Sequence, residues 1–385
     1  MKRIPYGWHT IDKEDIKAVV EVLQSKRLTQ GPTIKEFEEA LCKYTGAQYA
    51  VAASSGTAAL HLAFIATEIK KTDEIITSPI TFVASANCAV YCGGTPVFAD
   101  IQPDTVTIDP QEIKKKITKR TKAIIPVHFS GHPCDLREIK DIAKRYNLII
   151  IEDACHALGA EYRGTKIGSC TYSDMTVFSF HPIKSITTGE GGAVLTNRKD
   201  LYEKLLLLRN HGITKENSEF RIQNSKLIDP WYYEMQELGF NYRITDFQCA
   251  LGIAQLKKID SFLQKRRRIA AIYNRELLHI EGINLPIEKP YVKSSWHLYC
   301  IRLSNTTQRR FVFNRLQQSG IGVQVHYIPV HLQPYYRKNF GYKKNDYPKA
   351  EDYYKTTITI PLFPRLDITA VHRIISKIKK VVKNA

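Results

Sequence analysis

Long apolar runs are absent from this chain. No window among its 385 residues reaches the roughly 18 consecutive apolar side chains that a membrane span needs, and the opening residues Arg3 to His9 hold no apolar signal core. Membrane insertion and export are therefore not expected, and the expected compartment is the cytoplasm. Paired cysteines are absent as well. The eight Cys residues are scattered without a C-x-x-C, which argues against a disulfide framework and predicts free thiols. The two common glycine-rich phosphate loops are missing, since neither G-K-[ST] nor G-x-G-x-x-G occurs. Acidic residues are the scarcer charge, 38 against 56 basic ones for a net +18, so an anionic small molecule suits the chain. The densest basic runs, 114–122, 265–268 and 377–383, fall among Ile, Leu and Val in helical patterns with no interleaved aromatic rings. Such runs read as solvated helix faces, so neither nucleic acid nor a membrane surface is an expected partner.

What remains is the composition of an ordinary folded protein. Its 43% hydrophobic and 24% charged residues, with 20 Gly and 17 Pro, fit a globular chain, and its length suits two or three domains of roughly 100–200 residues. Asp12 stands where it can cap a helix bearing Ile16, Val19, Val20 and Leu23, and a second helix is expected from Pro32 toward Gly46. Short apolar runs then alternate with helical patterns. Strands are predicted over 49–53, 74–77, 96–99, 123–128, 148–152, 176–180 and 193–196, and helices over 57–66, 81–91, 110–117 and 135–146. Strands that are apolar throughout and separated by helices predict an α/β fold. Its sheet should be mostly parallel, covered on both faces, with ligands at the strand carboxyl ends. A helical stretch from Asp246 to about Ile280 leads to a smaller C-terminal α+β part, with strands near 297–303 and 323–327 and a last helix over 368–382. The expected domains are residues 1–255 and 256–385.

Three elements carry chemistry. The apolar run 148–151 opens into Glu152-Asp153-Ala154-Cys155-His156, so Asp153 stands at a strand's carboxyl end, where a buried carboxylate needs a cation or hydrogen bonds. A cap on the next turn is the plain alternative. Phe178-Ser179-Phe180 runs into a glycine-rich loop whose one lysine, Lys184, would on its own read as a surface charge. Ala52-Ala53-Ser54-Ser55-Gly56-Thr57 carries a strand into a helix, which is either a phosphate site built from free N–H groups and hydroxyls or an ordinary Ser/Thr cap. Together they ask for a ligand with a phosphate, a nitrogen that Asp153 can keep protonated and a carbonyl that Lys184 can attack. Pyridoxal 5′-phosphate has all three. The loop from His128 to Cys134 holds metal-ligand atoms but lacks a second matched pair for a four-ligand zinc site, so no metal is expected. Cys155 and His156 are chain neighbours on an extended segment and point apart, which predicts an inert thiol.

Over essentially its whole length the sequence resembles the DegT/StrS-type sugar aminotransferases, which are fold-type I pyridoxal phosphate enzymes. The resemblance rests on residues 28–32, 54–57, 152–160, 179–192 and 239–248; residues 77–87, 180–188 and 324–329 are similar to the branch that serves pseudaminic acid biosynthesis. It implies that Lys184 bonds to the cofactor aldehyde and later moves protons, and that Asp153 holds the pyridine nitrogen. It further implies Ser55, Gly56, Thr57 and Ser179 at the phosphate, Phe82 over the ring and His156 beside Asp153. Asn241 would reach the phosphate of the neighbouring subunit, giving a homodimer with shared active sites, while Thr29, His326 and Tyr327 would contact the substrate. The implied reaction is transamination of the C4 ketone of a UDP-linked 4-keto-6-deoxy N-acetylamino sugar, with glutamate as donor. A perosamine-type enzyme using a GDP- or dTDP-linked sugar and a non-catalytic cofactor-binding regulator are the alternatives. Lys184 argues against a sugar 3-dehydratase of the same fold, in which His replaces the lysine.

Overall fold

The structure, a computed structural model, describes residues 3–215 and 231–384. The main sheet has seven strands: β1 (Tyr49–Ala53), β2 (Glu74–Thr77), β3 (Thr95–Phe98), β4 (Thr121–Ile125), β5 (Ile149–Asp153), β6 (Met175–Ser179) and β7 (Gly192–Thr196), in the order β1-β7-β6-β5-β4-β2-β3. Alternate positions along these strands feed two separate apolar clusters. Ala50 and Ala52 join one with Ile124 and Phe178, and Val51 and Ala53 join the other with Ile125 and Val177. Both faces are therefore covered, which is why the strands read as continuous apolar runs.

The pairs β2/β3, β2/β4, β4/β5 and β5/β6 are parallel, whereas β7 runs antiparallel to both β6 and β1. The connection explains the exception. Residues 180–191 contain no helix to carry the chain across the sheet, so it returns directly beside β6.

Four helices, α1 (Lys13–Leu23), α2 (Pro32–Thr45), α3 (Gly56–Ala66) and α4 (Ala84–Tyr91), precede or interleave with the first strands. Asp12 caps α1 by accepting from the N–H groups of Glu14 and Asp15, and the Asp15 carboxylate in turn accepts the Asp12 N–H. The side of α1 that docks on α5 (Asp246–Leu256) carries buried Asp15, bonded to Gln255 and paired with Lys258. Its apolar residues Ile16, Val20 and Leu23 point outward, 57%, 41% and 51% exposed. In contrast α3 is buried on nearly every side, because it lies between β6, β7 and α4.

The helical stretch expected from Asp246 to about Ile280 divides at Lys257 and Lys258 into α5 and α6 (Ile259–Leu277). A small antiparallel sheet follows, formed by β8 (Ile283–Asn284), β9 (Tyr299–Leu303) and β10 (Thr357–Ile360), with α7 (Ile368–Lys383) packed into the same core. The strand expected over 323–327 does not form. Only Gln324 bridges Thr359, since His326 and Tyr327 leave the sheet edge for the cavity described below. No helix among the described residues is long and apolar enough to cross a membrane.

The basic run 265–268 also needs correction. Helical spacing places Arg266 in line with Phe262, Ala270 and Tyr273 on the buried side of α6. Its Nη1 donates to the carbonyl oxygens of Trp296, His297 and Leu362 at 3.3, 3.2 and 2.9 Å. Burial lowers its pKa to about 10, which still leaves the guanidinium charged at neutral pH. Replacing it would leave these carbonyl groups without a buried donor. Arg266→Ala is expected to cost on the order of 3 kcal/mol, measured as a lower urea midpoint by circular dichroism; a loss under about 1 kcal/mol would mean that water replaces the guanidinium.

Candidate active site

The carboxyl ends of β1, β5 and β6 converge on a cavity of about 510 Å³. At its floor Asp153 ends β5 and is 6% exposed. One carboxylate oxygen accepts the Cys155 N–H at 3.1 Å and the other accepts the Ser85 hydroxyl at 2.5 Å. Ser85 lies in the first turn of α4, and its oxygen is 2.7 Å from the Thr81 hydroxyl, so a short hydroxyl chain ends on Asp153. The carboxylate is thus oriented by two donors and keeps lone pairs for a further donor from the cavity.

Lys184 enters from the loop after β6, held by a turn in which its N–H donates to the His181 carbonyl at 2.9 Å. Desolvation lowers the pKa of its ammonium, an effect that Cys155 and Asp153 partly oppose. The amine is therefore easier to deprotonate than a surface lysine, as a base or nucleophile requires.

A third wall is the start of α3. Ser55 caps it by accepting the Ala58 N–H at 3.0 Å, which leaves the N–H groups of Gly56 and Thr57 without an acceptor among the described residues. A Cβ on Gly56 would stand 2.7 Å from Ser179 Cβ, so only glycine lets the helix start approach Ser179 this closely. Two free N–H groups, the Thr57 and Ser179 hydroxyls and the helix dipole make a cradle suited to a phosphate dianion.

The remaining walls come from distant segments. Phe82 is 57% exposed and its ring lies 6.4 Å from that of Tyr327. The Tyr327 hydroxyl is 3.3 Å from His156 Nε2, while His156 Nδ1 is buried with no partner and its ring centroid lies 4.3 Å from that of His297. Burial, Lys184 and His326 all lower the His156 pKa, which keeps it neutral. His326, 2.8 Å from the Thr359 hydroxyl through Nδ1, is pushed down to about 4, mainly by burial and secondarily by Lys184. Burial likewise pushes the Cys155 thiol up, in keeping with an inert thiol.

The structure therefore gathers Ser55, Gly56, Thr57, Phe82, Asp153, His156, Ser179, Lys184, His326 and Tyr327 around one cavity. Thr29 and Asn241 are not among its lining residues. Both are exposed, Thr29 bridged to Thr245 and Asn241 to Asn210. Sequence reading missed Ser85, Thr81 and Tyr6. Ser85 carried a usable signal, a hydroxyl in the first turn of a predicted helix; Tyr6 carried none, because its segment reaches the cavity only through bridging to Ile321 in the smaller part. The loop from His128 is tied into the fold: His128 Nε2 is 2.7 Å from Glu152, and its Nδ1 accepts the Cys134 N–H at 3.1 Å. No cluster of three or more metal-ligating side chains occurs among the described residues.

The cradle, the oriented carboxylate and the desolvated lysine fit pyridoxal phosphate, by phosphate, pyridine nitrogen and aldehyde respectively. Comparison with known proteins agrees. The profile described as the DegT/DnrJ/EryC1/StrS aminotransferase family matches residues 9–379. A Campylobacter jejuni UDP-4-amino-4,6-dideoxy-N-acetyl-beta-L-altrosamine transaminase is 40% identical, with 98% of this chain and 99% of that protein covered. Among solved structures, Helicobacter pylori PseC, an aminotransferase of pseudaminic acid biosynthesis, superposes with a TM-score of 0.92 at 37% identity over 100% of both chains. The PLP form of Streptococcus pneumoniae Spr1654, described as a sugar aminotransferase, gives 0.90 at 32% identity over 99% of both. The chain belongs to the DegT/DnrJ/EryC1/StrS family and is a pyridoxal-phosphate-dependent aminotransferase of fold type I.

Proposed function

We propose that the protein moves the amino group of glutamate to the C4 ketone of a UDP-linked 4-keto-6-deoxy N-acetylamino sugar, the transamination of pseudaminic acid biosynthesis. The observation that carries this reading is the full-length likeness to the altrosamine transaminase and to PseC, combined with a cavity whose chemistry suits the reaction. When bound, pyridoxal phosphate supplies an electron sink and a carbonyl that exchanges for an amine. The chain's own groups do the rest. Asp153, aimed by Ser85 and Cys155, keeps the pyridine nitrogen protonated. Lys184, once its amine is free, takes the proton that leaves glutamate Cα, and in the second half-reaction delivers a proton to sugar C4. Gly56, Thr57 and Ser179 hold the phosphate, with Ser55 fixing the helix start. Phe82 and His156 bound the space for the ring. His326 and Tyr327 lie where they can meet sugar substituents, and sites built on such hydrogen bonds reject analogues that leave buried groups unpaired.

The working unit in this reading is a homodimer in which Asn241 and Thr29 serve the partner's cavity. Their exposure outside their own cavity supports that placement, as does the outward apolar side of α1, which a second copy would cover.

Lys184→Ala is expected to abolish turnover while the folded protein still retains cofactor noncovalently; borohydride labelling of a different lysine in the wild type would overturn the assignment. Asp153→Asn should slow turnover by about three orders of magnitude, each tenfold being about 1.4 kcal/mol of barrier, and near wild-type turnover with bound cofactor would make Asp153 structural. Mixing Lys184→Ala and Asn241→Ala protomers should restore activity, because a mixed dimer then collects both lesions in one site; no recovery after verified subunit exchange places Asn241 elsewhere. Product mass spectrometry and NMR across UDP, GDP and dTDP 4-keto sugars should show amination of the UDP-linked 2-acetamido-2,6-dideoxy-L-arabino 4-ketose, whereas exclusive use of a GDP-linked 4-keto mannose contradicts the branch.

A further inference from the structure

An amino-acid donor brings a carboxylate bonded directly to the carbon that reacts. The cavity must therefore meet an anion within a few ångströms of Lys184, and no arginine of the same chain lines it among the described residues. Three imidazoles do line it, those of His156, His181 and His326. Two have a partner on one nitrogen: His156 Nε2 faces the Tyr327 hydroxyl at 3.3 Å, its Nδ1 being buried, and His326 Nδ1 faces the Thr359 hydroxyl at 2.8 Å. The His181 side chain has no hydrogen bond or ion pair to any described residue. Its backbone closes the turn that presents the lysine, since the His181 carbonyl accepts the Lys184 N–H at 2.9 Å. The imidazole is exposed at the cavity rim on the same turn as the reacting amine.

We infer that His181 is the subsite for the α-carboxylate of the amino donor. An imidazole N–H donated to a carboxylate is a charge-assisted hydrogen bond in either protonation state of the ring. Glu190 lines the same cavity. Burial lowers the His181 pKa, Glu190 raises it and Lys184 lowers it, so Glu190 counteracts the two influences that favour the neutral ring. The diphosphate of a nucleotide sugar is the other anion at hand, but it is attached to C1, across the sugar ring from the C4 that reacts, and so lies farther from the lysine turn than a carboxylate on the reacting carbon.

This inference rests on the aminotransfer reading and on glutamate as donor, and its test needs no sugar. The holoenzyme is mixed with glutamate or with its α-amide, isoglutamine, and the donor half-reaction is followed by cofactor absorbance. Wild type should prefer glutamate in kcat/KM, and His181→Asn should narrow that preference about tenfold. An unaltered preference in His181→Asn overturns the subsite, as does an equal loss on both donors, which marks a packing role. A wild type that accepts neither donor removes glutamate and this subsite together. A wild type that accepts glutamate but passes the amine to no 4-keto sugar defeats the sugar reading while leaving the carboxylate subsite supported.

Discussion

A carboxylate at the end of a buried strand is the least comfortable group in this fold, and much of the architecture accommodates it. Asp153 is nearly inaccessible, yet no cation forms an ion pair with it in the described residues; it is held by a backbone N–H and by a serine from a different element. Ser85 can serve because α4 starts beside the end of β5, and α4 stays there because α3 and the neighbouring strands pack against it. The lysine loop closes over the same floor. A buried carboxylate of this kind is costly unless donors reach it, which is why the placement of Ser85 and of the Cys155 N–H matters to the whole site.

Three buried imidazoles at or behind the cavity wall are kept from adding positive charge. His156, His297 and His326 are all buried, and burial drives each toward the neutral form, with His156 further opposing protonation of His297. These three neutral rings add no imidazolium to the buried side of the Lys184 amine. The lysine's lowered pKa thus comes from exclusion of water more than from charge repulsion.

The main sheet was readable because most of its strands are buried on both faces and separated by helices, so length and apolarity marked them out. That Asp153, Lys184 and the Ser55–Thr57 turn share one cavity was legible because each lies at or after the end of a strand in the same sheet. Other features depend on contacts between segments distant in the chain. Arg266 resembled its neighbours Lys265 and Arg267 in the chain, and only the rotation of α6 against the small sheet buries it under three carbonyl groups. The antiparallel direction of β7 follows from the missing helix in the lysine loop, although the strand itself looked like the rest. Tyr6 reaches the cavity because its segment bridges to Ile321 and Gly322, far along the chain.

That antiparallel return has a further consequence. Ser179 and Gly192 sit opposite each other in the ladder, and the next residues in, Phe180 and Gly191, are joined by a backbone hydrogen bond of 2.8 Å. The loop that bears Lys184 therefore leaves and re-enters the scaffold at nearly one point. Residues inserted, lost or exchanged between those anchors would be absorbed within the loop and would leave strand register untouched. A lineage could vary the surroundings of the lysine, and hence what is brought to it, while inheriting the sheet and the start of α3 unaltered.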